Sequence, residues 1–159
     1  MSGPLPGPRL ALAVCGAVVV VDQLTKWIVD SEIARGDQLE LLPFLALENA
    51  RNRGIAFGLA GDASPLLIAG TVAVVILLMA FLVAQARGPA IWIAAGLLVG
   101  GALGNLADRA REGAVIDFID LPAWPTFNLA DVAIVAGVAA LLLAHRTEGR
   151  ADGGGPRAG

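Results

Sequence analysis

The chain has 159 residues, of which 57% are hydrophobic and 16% are charged, and its formal net charge is −3. Soluble domains average about 45–50% apolar and about 25% charged residues, so this composition favours a membrane protein with a single domain. The negative balance argues against a nucleic-acid partner, which would require a basic face.

Four apolar stretches predict four transmembrane helices, because a span needs roughly 20 apolar residues. The expected fold is therefore an all-α four-transmembrane-helix bundle, forming one membrane domain over residues 1–148 with a disordered Gly-rich tail at 149–159. In the third span, Gly96, Gly100 and Gly104 recur at a spacing of four, which lets another helix backbone come close. The predicted spans cover about 10–29, 65–85, 90–108 and 127–145.

The connection between the first two spans predicts a small β-sheet at about residues 38–60. Leu39-Glu40-Leu41 alternates in polarity, and 44–47 and 55–57 are predicted to be short apolar strands. Residues 49–54 are predicted to form a polar turn between them. Such a sheet would lie on the membrane surface, where its edges find water or protein partners.

Polar residues gather at one end of the predicted bundle. Antiparallel helices place the late part of the first span, the end of the third and the start of the fourth on the same side. Ionisable groups in or beside lipid are costly and usually mark a working site, so we predict an active site built around carboxylates. The residues at this end are Asp22, Lys26, Asn105, Asp108, Arg109, Asp117, Asn128 and Asp131.

Asp117 and Asp131 suit a pair of hydrolytic carboxylates. The apolar neighbours Ile116 and Phe118 are expected to raise the pKa of Asp117. Asn128 can cap the fourth span and place Asp131 in its first turn, where the positive helix end favours a carboxylate. A protonated acid beside an ionised one is typical of hydrolytic dyads and needs neither metal nor cofactor. The alternatives are that Asp117 is an exposed loop acid and that Asp131 is only a cap.

The other charged residues have structural explanations. Asp22 and Lys26 lie one helical turn apart, so a mutual ion pair is expected. Asp108 and Arg109 are typical of a structural pair or a headgroup anchor, while Asn105 and Arg109 share a face that could bind a substrate backbone. A small proton-coupled membrane transporter is the alternative function. It predicts acids near the midplane on broken helices, a depth that only Asp22 approaches.

Five motifs together resemble the bacterial lipoprotein signal peptidase (signal peptidase II) family. They occur in the family's order and extend from residue 22 to residue 131. Their combination is highly specific, although each alone is weak. The motifs are Asp22-x-x-x-Lys26, Asn52-x-Gly54-x-Ala56-Phe57, Gly100-Gly101-x-x-Gly104-Asn105-x-x-Asp108-Arg109, Val115-Ile116-Asp117-Phe118 and Phe127-Asn128-x-Ala130-Asp131.

The resemblance implies an aspartyl endopeptidase of the bacterial inner membrane. Such an enzyme removes the signal peptide of diacylglyceryl-modified prolipoproteins by cleaving just before the lipidated cysteine. The termini would be cytoplasmic, and the sheet and the active site would face the outer side, in contact with membrane lipid. In this chain Arg53 adds a charge within the second motif, and the stretch between the two aspartates looks short for the family.

The resemblance also implies roles for individual residues. The catalytic dyad maps onto Asp117 and Asp131, with Asp108 as a rival for the first role. No metal ligand and no cofactor are implied. The substrate-binding residues would be Asn52, Gly54, Asn105, Arg109 and Asn128, and the supporting residues would be Asp22, Lys26, Asp108 and Ala130.

Overall fold

The computed structural model describes residues 7–54, 73, 76 and 88–152. The described part contains three long helices, α1 (Gly7–Glu32), α2 (Pro89–Glu112) and α3 (Leu129–Asp152). Among the described residues, α1 and α2 are long and apolar enough to cross a membrane, and the apolar part of α3, Leu129–Ala144, is shorter. Helices thus occupy the first, third and fourth predicted spans. The second predicted span and the predicted strand at 55–57 lie outside the described residues.

The helix ends differ from the predicted bounds by one to seven residues. α2 begins at Pro89 and ends at Glu112, and the next residue, Gly113, has a positive φ of 70° that suits a glycine cap. α3 runs through Asp152, so the prediction of a disordered tail is wrong for residues 149–152, and residues 153–159 lie outside the described part. A single glycine inside a helix costs only about 1 kcal/mol and does not end it.

Within the described residues, four antiparallel strands form one sheet in the order β1-β2-β3-β4. The strand predicted around Leu39 is confirmed as β1. The predicted turn at 49–54 is wrong over its first four residues, because residues 49–52 belong to β2 and residues 50–52 pair with β3. β3 and β4 were not predicted. The bounds are β1 Gln38–Leu42, β2 Leu45–Asn52, β3 Val115–Leu121 and β4 Trp124–Phe127.

Glycines let the helix backbones approach one another, as the spacing of four predicts. A Cβ atom at Gly96 would lie 2.6 Å from Cβ of Val14, and one at Gly100 would lie 2.8 Å from Cβ of Val18, both on α1. On another face of α2, a Cβ at Gly101 would collide with the carbonyl oxygen of Ala130 on α3. α2 therefore packs closely between α1 and α3.

The helices carry apolar side chains on the outside and charges on the inside. Leu12 on α1 is 72% exposed and Val135 on α3 is 69% exposed, whereas Asp22 and Lys26 are fully buried. This arrangement reverses that of a soluble protein and suits helices surrounded by lipid. The buried charges lie at the end of the bundle that meets the sheet.

Candidate active site

Asp117 lies on β3 and is almost completely buried, with 2% of its surface exposed. Its Oδ1 accepts a hydrogen bond from Nδ2 of Asn128 at 2.6 Å. Its Oδ2 accepts one from Nδ2 of Asn52 at 2.8 Å. The carboxyl group is therefore held on both oxygens by amides, and the alternative of an exposed loop acid is wrong.

Asp131 lies in the first turn of α3 and forms a reciprocal cap with Asn128. The backbone N–H of Asp131 donates to Oδ1 of Asn128 at 3.0 Å. The backbone N–H of Asn128 donates to Oδ2 of Asp131 at 3.3 Å, which completes a capping box. The predicted cap is confirmed, and one residue contacts both carboxyl groups, because Asn128 bonds to that of Asp117 through its side chain and to that of Asp131 through its backbone N–H.

The environment of Asp117 favours its protonated form. Burial raises the pKa of Asp117, and the nearby charge of Asp131 raises it further. The hydrogen bonds from Asn52 and Asn128 oppose this rise but do not cancel it. A neutral carboxyl group can donate a proton, which is what an acid catalyst requires.

Lys26 fixes the orientation of the Asn105 side chain. Its Nζ donates to Oδ1 of Asn105 at 3.0 Å, and Nδ2 of Asn128 donates to the same oxygen at 3.0 Å. An ammonium group has donors only, so the NH₂ group of Asn105 must point the other way. It donates to Oδ1 of Asp131 at 2.8 Å.

Gly54 fixes the orientation of the Asn52 side chain in the same way. The backbone N–H of Gly54 donates to Oδ1 of Asn52 at 2.9 Å, which leaves the NH₂ group of Asn52 facing Asp117. The φ of Gly54 is 72°, a value that L residues with side chains rarely adopt. Gly54 thus orients a neighbour, whereas its predicted contact with substrate stays a prediction.

A buried cluster of charged side chains from α1 and α2 lies against the site. Nζ of Lys26 lies 2.8 Å from Oδ2 of Asp22, which confirms the predicted pair, and 2.8 Å from Oδ2 of Asp108. Oδ1 of Asp22 also accepts from the backbone N–H of Ala130 at 2.9 Å. α1 is thereby tied to the residue that precedes Asp131.

Asp108 is occupied by structural partners. Its ion-pair partners are Lys26 and Arg111 rather than its neighbour Arg109, so the predicted Asp108–Arg109 pair is wrong. Adjacent residues on a helix do not face each other, whereas residues three apart do. Its Oδ2 also accepts from the backbone N–H of Ile116 at 3.3 Å. These contacts make Asp108 a support of β3.

Arg109 lies one turn beyond Asn105, as predicted, and its NH1 donates to the Asn105 carbonyl at 3.5 Å. Its role in binding substrate stays a prediction. The sequence analysis missed Gln23, which donates to Oδ2 of Asp22 at 3.2 Å and to Oδ1 of Asp108 at 3.0 Å. An amide side chain inside an apolar span was the signal that could have identified it.

An apolar groove of about 380 Å³ opens beside Asp131. Aromatic side chains of β4 and small or branched side chains of α3 form its walls. This lining suits an acyl chain or an apolar peptide segment. The walls include Trp124, Phe127, Val132, Val135 and Ala139.

A family model described as signal peptidase (SPase) II matches residues 14–146. The lipoprotein signal peptidase of Moorella thermoacetica is 41% identical over 133 residues, covering 82% of this chain and 87% of that relative. The lipoprotein signal peptidase of Rhodopseudomonas palustris is 40% identical over 147 residues, covering 84% and 90%. A solved bacterial membrane enzyme superposes with a TM-score of 0.78 at 34% identity, covering 84% of this chain and 90% of that one. These comparisons give no support to a transporter.

Proposed function

The chain belongs to the signal peptidase II family, and from that premise we propose that Asp117 and Asp131 are its two catalytic carboxylates. As a member of the family, it is an aspartic-type peptidase that removes signal peptides from prolipoproteins. The observation that carries the residue assignment is the single Asn128 side chain, whose atoms bond to both aspartates.

In the proposed mechanism the two carboxyl groups divide the acid and base roles. Asp131 lies in the first turn of α3, where the helix dipole favours a negative charge, and it takes a proton from the attacking water. Asp117, whose pKa is raised by burial, supplies a proton to the substrate. The water oxygen bonds to the peptide carbonyl carbon, the C–N bond breaks, and the leaving nitrogen gains a proton.

The hydrogen bonds to Asp117 leave room for this chemistry. Each carboxyl oxygen has two acceptor sites, and the amides of Asn52 and Asn128 each occupy one. The remaining sites can hold the proton and contact the substrate. Fixed amide donors also keep the carboxyl plane in one orientation, which positions the acid before the substrate binds.

We further propose that the substrate is cleaved just before a diacylglyceryl-modified cysteine. The apolar groove beside Asp131 supports this assignment, because its walls can cover an acyl chain next to the scissile bond. Each buried CH₂ group of a lipid contributes about 0.8 kcal/mol. A peptide without the lipid would lose this contribution.

The proposed setting is the bacterial inner membrane, with four spans, cytoplasmic termini and the site toward the outer face. In its support, the site residues come from the C-terminal parts of α1 and α2, from the N-terminus of α3, and from β2 and β3. All of them lie at the end of the bundle opposite to the N-terminus of α1. The sheet lies at that same end, on the proposed outer surface.

The dyad is tested by cleavage of a diacylglyceryl-modified precursor by the purified protein. Asp117→Asn and Asp131→Asn should each abolish cleavage, because one carboxylate alone cannot serve as both acid and base. Asp120→Asn is the matched control, since Asp120 lies on the same strand but bonds to Gln38 at the surface. Wild-type activity in Asp117→Asn, together with an inactive Asp108→Asn, would transfer the first role to Asp108.

A further inference from the structure

β2 contains one residue more than β3 can pair with. Leu47 lies opposite Ile119, but the next recorded pair is Ala50 opposite Asp117. Two residues of β2, Glu48 and Asn49, therefore face the single Phe118. This is a β-bulge, a feature that re-aims the side chains beyond it.

The bulge decides which β2 side chain shares a face with Asp117. Side chains alternate along a strand, so with Ala50 opposite Asp117 the next residue on that face is Asn52. A regular ladder continuing from the Leu47–Ile119 pair would place Asn49 opposite Asp117 and Arg51 beside it. A shift of one residue would thus exchange an amide for a guanidinium at the carboxyl group.

Buried Asn49 holds the bulge against the end of α1. Only 1% of its surface is exposed. Its Nδ2 donates to the carbonyl of Ile33 at 2.7 Å and to Oδ1 of Asp30 at 3.2 Å. Its backbone N–H donates to the carbonyl of Asp37 at 3.1 Å, and its carbonyl accepts from Gly36 at 3.0 Å. Both the side chain and the backbone of Asn49 are therefore fixed to one place.

Arg51 is held on the opposite face of the sheet. Its NH1 donates to Oδ1 of Asn49 at 2.6 Å, its NH2 pairs with Asp30, and its Nε lies 3.2 Å from Oε2 of Glu112. Asp30 and Glu112 lie at the ends of α1 and α2, and Asn49 lies on β2 itself. The guanidinium group is thus engaged away from Asp117, and Asn49 is part of what engages it.

We propose that Asn49 is a positioning residue of the peptidase, which pins the bulge that turns Asn52 toward Asp117 and Arg51 away from it. The proposal rests on the assignment of Asp117 as a catalytic carboxyl group. A guanidinium beside Asp117 would favour its charged form and deprive the site of its acid. Asn49 touches neither the dyad nor the apolar groove, and it acts through the register of β2.

The first test measures activity in a double-variant series. Asn49→Ala should lower kcat by about 10- to 100-fold, the usual cost of a small displacement of a catalytic group. Adding Arg51→Asn to Asn49→Ala should recover most of that loss, because an amide then faces Asp117 in the shifted register. Arg51→Asn alone should not increase activity. Gln38→Ala, a surface change on β1, is the control.

The second test detects the register of β2 against β3 without measuring catalysis. With Cys15→Ala as background, cysteines are introduced by Ala50→Cys and Ile116→Cys. These positions lie on opposite faces in the bulged register and directly opposite each other in the shifted one, where a disulfide can close. Oxidation should give no disulfide with Asn49 present and a disulfide with Asn49→Ala. This outcome does not depend on whether Asp117 is catalytic.

Several results would overturn the proposal. They are unchanged activity in Asn49→Ala, an inactive Asn49→Ala that shows neither the disulfide nor rescue by Arg51→Asn, and a disulfide in the presence of Asn49. Asn49→Ser, which keeps a small hydrogen-bonding group, serves as the milder variant. Failure of both Asn49 variants to fold would make Asn49 a general structural residue and would also count against the proposal.

Discussion

Three asparagine side chains control what the two carboxyl groups can do. Asn52 and Asn128 donate to Asp117, and Asn105 donates to Asp131. Because each amide oxygen is itself engaged by another donor, none of the three can rotate and present its oxygen to a carboxylate. The site therefore keeps donors around its acids whether or not substrate is bound.

The pH dependence of cleavage should change when the side-chain amide of Asn52 is removed. The rate should be bell-shaped, since the pair needs one proton, and the alkaline limb follows loss of the proton from Asp117. The Asn52 hydrogen bond lowers the pKa of Asp117, so Asn52→Ala should raise that pKa and move the alkaline limb to higher pH. The measurement is kcat/KM against pH, with Thr25→Val on α1 as the control. A limb that stays in place would contradict this account.

Lys26 is expected to be indispensable for stability. Lys26→Met would remove the buried cation that Asp22 and Asp108 share and leave Asp108 with the exposed Arg111, at a cost of about 3–5 kcal/mol in the free energy of unfolding. Adding Asp108→Asn should recover part of the loss by removing one stranded charge. Thermal unfolding in detergent micelles measures both effects.

The control for Lys26 is Arg35→Met. The Arg35 side chain is 64% exposed and pairs with Glu112 at 3.2 Å, and exposed pairs contribute only about 0–1 kcal/mol. Equal losses in Lys26→Met and Arg35→Met would mean that burial of the charged cluster is unimportant.

The sequence indicates the two proposed catalytic carboxyl groups more directly than it indicates their surroundings. The apolar flanks of Asp117 and the cap at Asn128 are local patterns, so both could be interpreted without a structure. The role of Asn49 could not be predicted, because its partners Ile33 and Asp30 lie at the end of α1, far from it in the chain. The polar residues around Asn49 also resemble a turn. Adjacency alone pairs Asp108 with Arg109, whereas its buried ion-pair partner, Lys26, lies 82 positions away in the chain.

Among the secondary-structure elements, α2 has the strictest spatial requirements. It meets α1 through Gly96 and Gly100 and α3 through Gly101. These faces bring Asn105, near the end of α2, to Asp131 at the start of α3. The close packing of α2 against α1 and α3 therefore also determines the geometry of the proposed active site.

Gly101→Ala should therefore damage both stability and activity. The added Cβ would collide with the carbonyl oxygen of Ala130 and lie 2.8 Å from Cγ1 of Ile134. Such overpacking costs about 1–3 kcal/mol, and the shift of Ala130 would move Asp131. Gly16→Ala is the matched control, because no atom of the described residues lies within 4 Å of its added Cβ, and its free energy of unfolding should rise by about 0.5–1 kcal/mol. Parallel melting and cleavage measurements decide between them.

The helices were predictable and the sheet was only half predictable. Long apolar stretches predict α1 and α2 to within four residues of each end, whereas α3 extends seven residues beyond its predicted end. β2 and β3 pair residues that are more than 60 positions apart, such as Ala50 and Asp117. Nothing in the neighbouring sequence identifies a strand partner at such a distance. Residues 49–52 therefore resemble a turn, and β3 is not predicted.

For the molecule as a whole, the location of the site beside an apolar groove sets the expected substrate preference. A precursor without the diacylglyceryl group should be cleaved far more slowly than the lipidated one, because the groove beside Asp131 then stays unfilled. The two precursors are compared at equal concentration in the same micelles. Equal rates would show that the lipid contributes nothing to recognition.

The ion pair between Asp22 and Lys26 also bears on how the protein enters the membrane. α1 is synthesised first, and a lone charge in a spanning helix makes insertion costly. Asp22 and Lys26 lie one turn apart on the same helix, at 2.8 Å, so α1 carries its own counter-ion. Residues 10–29 therefore carry no net charge when they enter the bilayer, even before α2 has been synthesised. Asp108, near the end of α2, is added later and extends the pair to the three-residue cluster of the folded protein.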